Sequence, residues 1–390
     1  MSAPVTVMLV AGEASGDTLG AGLAAALRER LGDRLRLVGV GGAGMAAQGV
    51  ASPFDIADLS VLGFVEGVRA WPRVVRRADE TADLAERERP DLAVLIDSWG
   101  FTLRVAQRLR RRLPELPLVK YVGPQVWASR PGRAKTLAAA VDRLLTLRDF
   151  EAPWFERAGL PTTVVGDPAL HRDFSRADAG RLRARISAAE GEPILLVLPG
   201  SRPAELERLG PVFEAAVSRL KAHRPGLQVV VPLATTIADA TRAWIAGWSF
   251  AAHAIDDEQG KRDAFSAADV ALACSGTVTT ELAMAGAPMV VGYRVGALSH
   301  ALMRHVITTP DIVLLNIAAG RRIVPEFVQD ACTPEALASA VAARLDSPEL
   351  RARQVADQNA ALERMGRGGG DPNARAADAV IEMLRTRTRL

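Results

Sequence analysis

The chain has 390 residues, of which 49% are hydrophobic and 24% are charged, and its formal net charge is +3. This balance excludes an intrinsically disordered chain, and the length predicts two domains of ordinary size. Because the net charge is small, a general nucleic-acid binder is also excluded and no nucleic-acid partner is expected.

The first half of the chain alternates short apolar runs with helical patterns. After the first run, leucines recur at four-residue intervals from Leu19 to Leu31, and Gly32 stands where a helix C-cap belongs. Such alternation predicts parallel strands joined by crossover helices, and therefore an α/β sheet. The predicted strands are residues 6–10, 35–39, 92–96, 118–122, 144–147 and 163–165.

The pattern restarts after residues 166–180, which contain Pro168 and lack periodicity, so this segment is the predicted linker. The second series of predicted strands is residues 194–198, 229–233, 270–273 and 289–291. Two similar halves predict two facing Rossmann-like domains with the active site in the cleft between them. We expect an N-terminal domain over residues 1–168, a C-terminal domain over 169–366, and a helix within 367–390. That helix is expected to dock on the N-terminal domain or on a second subunit, which would make a homodimer.

Two glycine-containing loops follow the first two predicted strands. Residues 12–17 consist mainly of small residues at a helix start, which suits either an anionic ligand or a tight turn with a helix cap. Residues 39–44 match G-x-G-x-x-G but follow the second strand, and the segment after them is too broken for a long helix. A nicotinamide dinucleotide site is therefore not predicted.

Two further strand ends in the first half carry candidate site residues. Asp97 directly follows the run 92–96, where a carboxylate points into the ligand crevice of a parallel sheet or caps the next helix. Residues 121–127 form the other strand end, at which Pro124 fixes a turn. Trp127 either stacks on a ligand or fills the core.

Two loops of the second half combine glycine, hydroxyl groups and charge. Arg202 follows the strand 194–198 and can bind a phosphate through its planar fork, or form a structural ion pair with Glu205. Residues 275–281 place a glycine and hydroxyls at a helix start. This loop either cradles a diphosphate, with Glu281 accepting hydrogen bonds from a ribose, or forms a capping box.

Two stretches place arginines beside apolar residues, as an element at a membrane surface would. They are residues 61–77 and 104–112, and each also fits a core helix with a solvated basic face. No apolar run approaches the roughly 20 residues that span a bilayer, and no signal peptide is expected.

The two cysteines lack metal-binding spacing, so neither a disulfide framework nor a metal site is predicted, and a reducing cytoplasm is expected.

An ordered set of motifs covers nearly the whole chain. The segments are residues 10–17, 62–66, 96–97, 121–124, 127–128, 198–202 with 205, 275–277 with 281, 288–294, 316, 324–326 and 329. Together they resemble the lipid-A-disaccharide synthase family. The resemblance implies the GT-B fold of two Rossmann-like domains. It also implies inverting transfer of 2,3-diacylglucosamine from its UDP derivative to 2,3-diacylglucosamine 1-phosphate, which yields a β-1,6-linked disaccharide phosphate and UDP.

The resemblance also implies roles for individual residues. Asp97 would be the general base, and no cofactor or metal is implied beyond the UDP-sugar donor. The nucleotide-binding residues would be Arg202, Glu205, Ser275, Gly276, Thr277 and Glu281. The residues that bind acceptor or sugar would be Gly12, Glu13, Ser15, Gly16, Asp17, Glu66, Pro124, Trp127, Asn316 and Gln329. The family implies a peripheral enzyme on the inner face of the inner membrane of Gram-negative bacteria, bound to an anionic surface.

The sequence departs from the family pattern mainly in its N-terminal half. An acid usually follows Asp97 at the position that Gly100 occupies here, and Gly123, Ser129 and Asp167 replace a serine, a tryptophan and a histidine or asparagine. Two alternatives therefore stay open. One is another GT-B enzyme, either a UDP-sugar epimerase or a lipid glycosyltransferase with a different acceptor. The other is a catalytically silent UDP-sugar-binding paralogue.

Overall fold

The chain forms two compact units in a computed structural model that describes residues 4–59, 64–296 and 309–388, without the side chains of 64–70, 387 and 388. The first unit comprises Met1–Pro168 together with Met365–Leu390, and the second comprises Ala169–Arg364. Each unit contains one six-stranded sheet in which every pairing is parallel. The predicted α/β class is confirmed.

The first unit consists of the following elements. Its strands are β1 Val5–Ala11, β2 Leu35–Val40, β3 Leu92–Ile96, β4 Leu118–Tyr121, β5 Arg143–Thr146 and β6 Thr162–Val164. Its helices are α1 Ala14–Leu31, α2 Ala43–Ala47, α3 Phe64–Glu88, α4 Trp99–Arg112, α5 Arg133–Ala138, α6 Ala152–Glu156 and α15 Pro372–Thr388. The strand order is β2-β1-β3-β4-β5-β6.

The second unit has its own set of elements. Its strands are β7 Ile194–Leu198, β8 Gln228–Pro232, β9 His253–Ile255, β10 Val270–Cys274, β11 Met289–Tyr293 and β12 Glu326–Val328, in the order β12-β11-β10-β7-β8-β9. Its helices are α7 Ala179–Arg185, α8 Pro203–His223, α9 Ala238–Ala246, α10 Glu258–Ala267, α11 Thr277–Met284, α12 Leu314–Ala319, α13 Pro334–Asp346 and α14 Pro348–Arg364. Short 3₁₀ turns cover Gly32–Arg34, Ile56–Leu59, Asp149–Glu151, Pro168–His171, Thr235–Ile237 and Gln329–Ala331.

Strands β3, β7 and β10 are apolar along their whole length because helices cover both faces of each sheet. All residues of β3, β7 and β10 are buried. The strand order reverses beside β1 in the first sheet and beside β7 in the second, which opens a crevice at the carboxyl ends of β1 and β3 and of β7 and β10. The three-residue strands β9 and β12 were not predicted, whereas β6, which is equally short, was.

The C-terminal helix α15 packs against α1 within the first unit. Gly22 makes the close approach possible, since a Cβ at this position would lie 2.4 Å from Oδ1 of Asn373. Val380 and Leu384 are buried in the core that α1 shares, and Arg30 Nε donates to Asp378 Oδ1 at 2.5 Å. The apolar face of α15 is thus covered by its own chain, and the expected homodimer through this segment gains no support from the structure.

We predict that Leu384→Ala destabilises the first unit by about 2–5 kcal/mol, because it leaves a cavity in the core between α15 and the sheet. Urea denaturation followed by circular dichroism measures the change. Asp378→Asn is the matched control on the same helix, since it weakens only an exposed ion pair and should cost at most about 1 kcal/mol. An unchanged midpoint for Leu384→Ala would contradict a structural role for α15.

Candidate functional site

A cavity of about 360 Å³ lies at the carboxyl ends of β7 and β10 in the second unit. Its walls are Leu198, Gly200, Ser201, Arg202, Glu205, Pro232, Leu233, Ala234, Lys261, Phe265, Cys274, Ser275, Gly276, Thr277, Val278 and Glu281. The lining therefore combines apolar side chains with hydroxyl groups and charges of both signs. Burial raises the pKa of the Cys274 thiol to about 12, so this thiol stays neutral at physiological pH.

The loop after β7 brings Arg202 to the cavity. Glu205 accepts hydrogen bonds from the backbone N–H groups of Ser201 at 2.9 Å and Arg202 at 3.2 Å, which caps α8. Its other oxygen accepts from Arg202 Nη1 at 2.9 Å. Gly200 has a φ of +122°, and a Cβ there would meet Glu205 Oε2 at 2.4 Å, so this position requires glycine. The Arg202 side chain is 68% exposed, which leaves most of its donors open to a ligand.

The loop after β10 forms the opposite wall, where α11 begins at Thr277. The Glu281 carboxylate forms an ion pair with the Arg172 guanidinium rather than the capping bond that the sequence allowed. Burial raises the pKa of Glu281, and the charge of Arg172 offsets part of that rise. Lys261, a cavity residue that sequence reasoning missed, donates to Glu258 at 2.8 Å. The cavity thus combines a helix N-terminus with cations, an arrangement that suits a diphosphate.

A second group of predicted residues meets in the first unit. Asp97 follows β3 and Ser15 lies in the first turn of α1, and Ser15 Oγ donates to Asp97 Oδ2 at 2.9 Å. Asp97 and Ser98 have φ values of +47° and +40°, a left-handed conformation that is strained for residues other than glycine. Helix α4 begins after Ser98, and the Asp97 carboxylate faces Ser15 instead of capping that helix.

Lys120 is the main residue near Asp97 that sequence reasoning missed. It lies in β4, is 2% exposed, and donates through Nζ to the carbonyl oxygen of Asp97 and to Thr102 Oγ1. Burial lowers the pKa of Lys120 to about 7, against the opposing negative charges of Asp97 and Glu13. The only signal in the sequence was a lysine within an otherwise apolar strand.

The glycine loop beside Asp97 is built for close packing. A Cβ at Gly12 would lie 2.8 Å from Phe101 Cδ1, and one at Gly16 would lie 3.3 Å from the carbonyl oxygen of Ile96. Asp17 accepts hydrogen bonds from the N–H groups of Gly42, Gly44 and Met45 at 2.7, 2.8 and 3.0 Å. The Asp17 carboxylate therefore holds the loop before α2, which is only five residues long.

Two residues of the predicted acceptor set, Asn316 and Gln329, form side-chain hydrogen bonds with backbone groups. Asn316 is fully buried. Its side-chain Oδ1 accepts hydrogen bonds from Ile323 N and Val324 N, and its Nδ2 donates to Val324 O, all at 2.8–2.9 Å. Gln329 Oε1 accepts from Val295 N at 2.8 Å. Both amides hold loops of the second unit, so their assignment to sugar binding gains no support from this geometry.

The aromatic and proline positions after β4 are buried. Trp127 is 9% exposed and packs edge-on against Phe150 with 5.5 Å between ring centres, as a core residue does. Pro124 is also buried. The side chain of Glu66, the remaining member of the predicted acceptor set, lies outside the described residues.

Two departures from the family pattern have local steric or electrostatic reasons. At Gly123 a Cβ would lie 2.7 Å from Phe155 Cζ, so a serine requires that ring to move. Asp167 Oδ2 accepts from Arg148 Nη2 at 2.7 Å, which gives the new carboxylate a partner. Gly100 is different, because no heavy atom lies within 4 Å of a Cβ built there. The local packing around Gly100 would therefore also accommodate an acidic side chain.

Within the described residues, no group of three or more histidine, cysteine, aspartate or glutamate side chains could hold a metal ion. None of the helices that the structure describes is both long and apolar enough to cross a bilayer.

Two Rossmann-like units, each with its polar residues at the strand-order reversal, define the GT-B fold of sugar-nucleotide enzymes. An S. aureus MnaA–UDP co-structure matches with a TM-score of 0.63 at 13% identity, covering 99% of this chain and 97% of that one. MurG of Acinetobacter baumannii matches with a TM-score of 0.55 at 17% identity, covering 98% of this chain and all of that one. At these identities the two matches show the fold alone.

Sequence comparison then gives the family. The family model for lipid-A-disaccharide synthetase matches residues 7–377. The lipid-A-disaccharide synthase of Rhodospirillum centenum is 41% identical over 98% of this chain and 96% of its own length. That of Paramagnetospirillum magneticum is 42% identical over 97% of both chains. The chain belongs to the lipid-A-disaccharide synthetase family, which confirms the predicted resemblance.

Proposed function

We propose that this chain transfers 2,3-diacylglucosamine from its UDP derivative to 2,3-diacylglucosamine 1-phosphate. The reaction inverts the anomeric carbon and yields the β-1,6-linked disaccharide 1-phosphate and UDP. The family match over residues 7–377 carries this proposal, because it includes the strand ends of both units. An epimerase and a silent UDP-sugar-binding paralogue differ from the proposed transferase in one measurable respect. Neither of them releases UDP in proportion to the acceptor consumed.

The donor nucleotide is assigned to the cavity at β7 and β10. A diphosphate there would lie beside the exposed Arg202 guanidinium and the start of α11, with Ser275, Gly276 and Thr277 offering hydroxyl and N–H donors. Glu281 would accept hydrogen bonds from the ribose once its ion pair with Arg172 is broken. As UDP departs, its diphosphate gains negative charge, which Arg202 and the helix start stabilise.

The acceptor is assigned to the first unit, beside the loop 12–17. Asp97 Oδ2 accepts a hydrogen bond from Ser15 Oγ, which leaves Oδ1 to receive the proton of the acceptor 6-hydroxyl. As that proton moves to Asp97, the hydroxyl oxygen bonds to the anomeric carbon and the bond from that carbon to UDP breaks. The transition state is oxocarbenium-like, so positioning contributes as much as proton removal.

A peripheral membrane position is part of the proposal. Trp71 in α3 is 52% exposed, and the guanidinium of Arg104 lies 3.7 Å from its ring centre. Arg73 and Arg76 lie exposed on the same helix, and Arg76 stays exposed although it pairs with Glu80 at 3.5 Å. Four other arginines of the two basic stretches are less exposed and form ion pairs, namely Arg77 with Asp58 and Glu80, Arg108 with Asp79, Arg110 with Asp142, and Arg112 with Asp83. Among the side chains that the structure describes, we assign the proposed contact with an anionic surface to Trp71, Arg73 and Arg76.

We predict that Asp97→Asn lowers acceptor-dependent UDP release by about 10²–10⁴-fold, because it removes the general base while keeping the shape of the side chain. UDP affinity and the melting temperature should stay near wild type. Asp33→Asn, the same change on the surface of the first unit, serves as the control. Normal turnover by folded Asp97→Asn would reject this base, and UDP release without acceptor would point to another activity.

We predict that Arg202→Ala weakens UDP binding by about 1.5–3 kcal/mol, roughly 10–150-fold, because a charged phosphate contact is lost. Calorimetric titration with UDP measures the change. Arg208→Ala, also exposed on α8 but outside the cavity lining, is the matched control. Equal affinities in the two variants would exclude Arg202 from the nucleotide site.

We predict that the triple change Trp71→Ala, Arg73→Glu and Arg76→Glu abolishes sedimentation with vesicles rich in anionic phospholipid. The attraction has an apolar and an electrostatic part, and salt should weaken the second. Arg157→Glu with Arg353→Glu places the same charge change on exposed arginines elsewhere. If the triple variant pellets like wild type at low and high salt, this surface is not the membrane contact.

A further inference from the structure

The turn that carries Asp97 is held in an unfavourable conformation. Asp97 and Ser98 are consecutive residues with left-handed backbone, and neither is glycine. A left-handed backbone is unfavourable for residues other than glycine and persists only where the surroundings determine it. The direction in which the Asp97 carboxylate leaves the sheet follows from this backbone, so whatever holds the turn also sets the aim of the carboxylate.

The contacts that hold the turn come from β4 and α4. The main chain contributes one of them, since Asp97 N donates to Tyr121 O at 2.8 Å. The side chains contribute the rest. Lys120 Nζ bonds the Asp97 carbonyl oxygen and lies 2.7 Å from Thr102 Oγ1, which in turn lies 2.7 Å from Asp97 O and 3.0 Å from Ser98 O. Thr102 is fully buried.

An ammonium in this position is costly. Lys120 is 2% exposed, and removing an ion from water is unfavourable unless nearby groups compensate. Two compensations are present, the hydrogen bonds to the turn and the negative charges of Asp97 and Glu13. Asp97 contributes to each of them, through its carbonyl oxygen to the first and through its carboxylate charge to the second. The placement of Lys120 and that of the Asp97 carboxylate are thus energetically coupled.

We propose that Lys120 is a positioning residue for Asp97, which fixes the left-handed turn at Asp97 and Ser98 through the hydrogen bonds of its Nζ and so aims the carboxylate at the acceptor hydroxyl. The proposal rests on the proposed function, in which Asp97 is the base. Lys120 itself does not touch the reacting atoms. Its effect should appear in turnover and not in the binding of the nucleotide, which is assigned to the other unit.

The test uses Lys120→Met, which keeps the length of the side chain and removes the charge and the donors. In the full-length enzyme we expect kcat to fall about 10²-fold, the cost of a small misplacement of a reacting group, while the donor KM and the UDP affinity stay unchanged. Lys135→Met, an exposed lysine in α5, is the control with the same chemical change and should keep wild-type turnover.

A double-mutant cycle separates positioning from general damage. If Lys120 acts through Asp97, Lys120→Met combined with Asp97→Asn should be no slower than Asp97→Asn alone. Full turnover by folded Lys120→Met, or a loss that multiplies with that of Asp97→Asn, overturns the proposal.

A second variant keeps the test decisive if Lys120→Met does not fold. Thr102→Val removes the bridging hydroxyl at equal volume and should also lower kcat without adding to Asp97→Asn. A wild-type kcat for folded Thr102→Val then overturns the proposal. Normal turnover by Asp97→Asn rejects the base and this proposal with it, whereas an inactive Asp97→Asn beside an active Lys120→Met rejects only the role of Lys120.

Discussion

Main-chain hydrogen bonding between two strands on either side of the strand-order reversal underlies each candidate site. In the first unit Ala11 pairs with Ile96, and in the second Leu198 pairs with Ala273. Because paired parallel strands end at the same level, the loops that follow them emerge side by side. Residues far apart in sequence thus become neighbours, and a change of register by one residue would turn each loop away from the other.

This constraint explains how much could be predicted from the sequence. Buried parallel strands have apolar runs, so the two α/β sheets and the strand ends at Asp97, Arg202 and Ser275 followed from the pattern. The partners of those residues did not follow from it. Lys120 bonds a backbone carbonyl, and Arg172 lies 109 residues before the Glu281 with which it pairs. No local spacing encodes such contacts.

The buried amides and carboxylates illustrate a different limit. A family motif indicates that a polar residue is present, but it does not say which group that residue bonds. Asn316 and Asp17 use most of their hydrogen-bonding capacity on backbone groups of neighbouring loops, whereas the Arg202 side chain stays largely exposed. A polar residue that shapes a site and one that touches its ligand leave the same signal in sequence. Only the three-dimensional contacts separate them.

The return of α15 to the first unit has a consequence for synthesis of the chain. The ribosome completes the second unit, Ala169–Arg364, before it makes the helix that covers α1. Until Pro372–Thr388 has emerged, the part of the α1 surface that this helix covers remains exposed to solvent. Domains generally fold as units in the order in which they leave the ribosome. The first unit thus begins before the second and is completed after it, because it depends on Pro372–Thr388. A chain that terminates before this helix presents an apolar surface to chaperones and proteases.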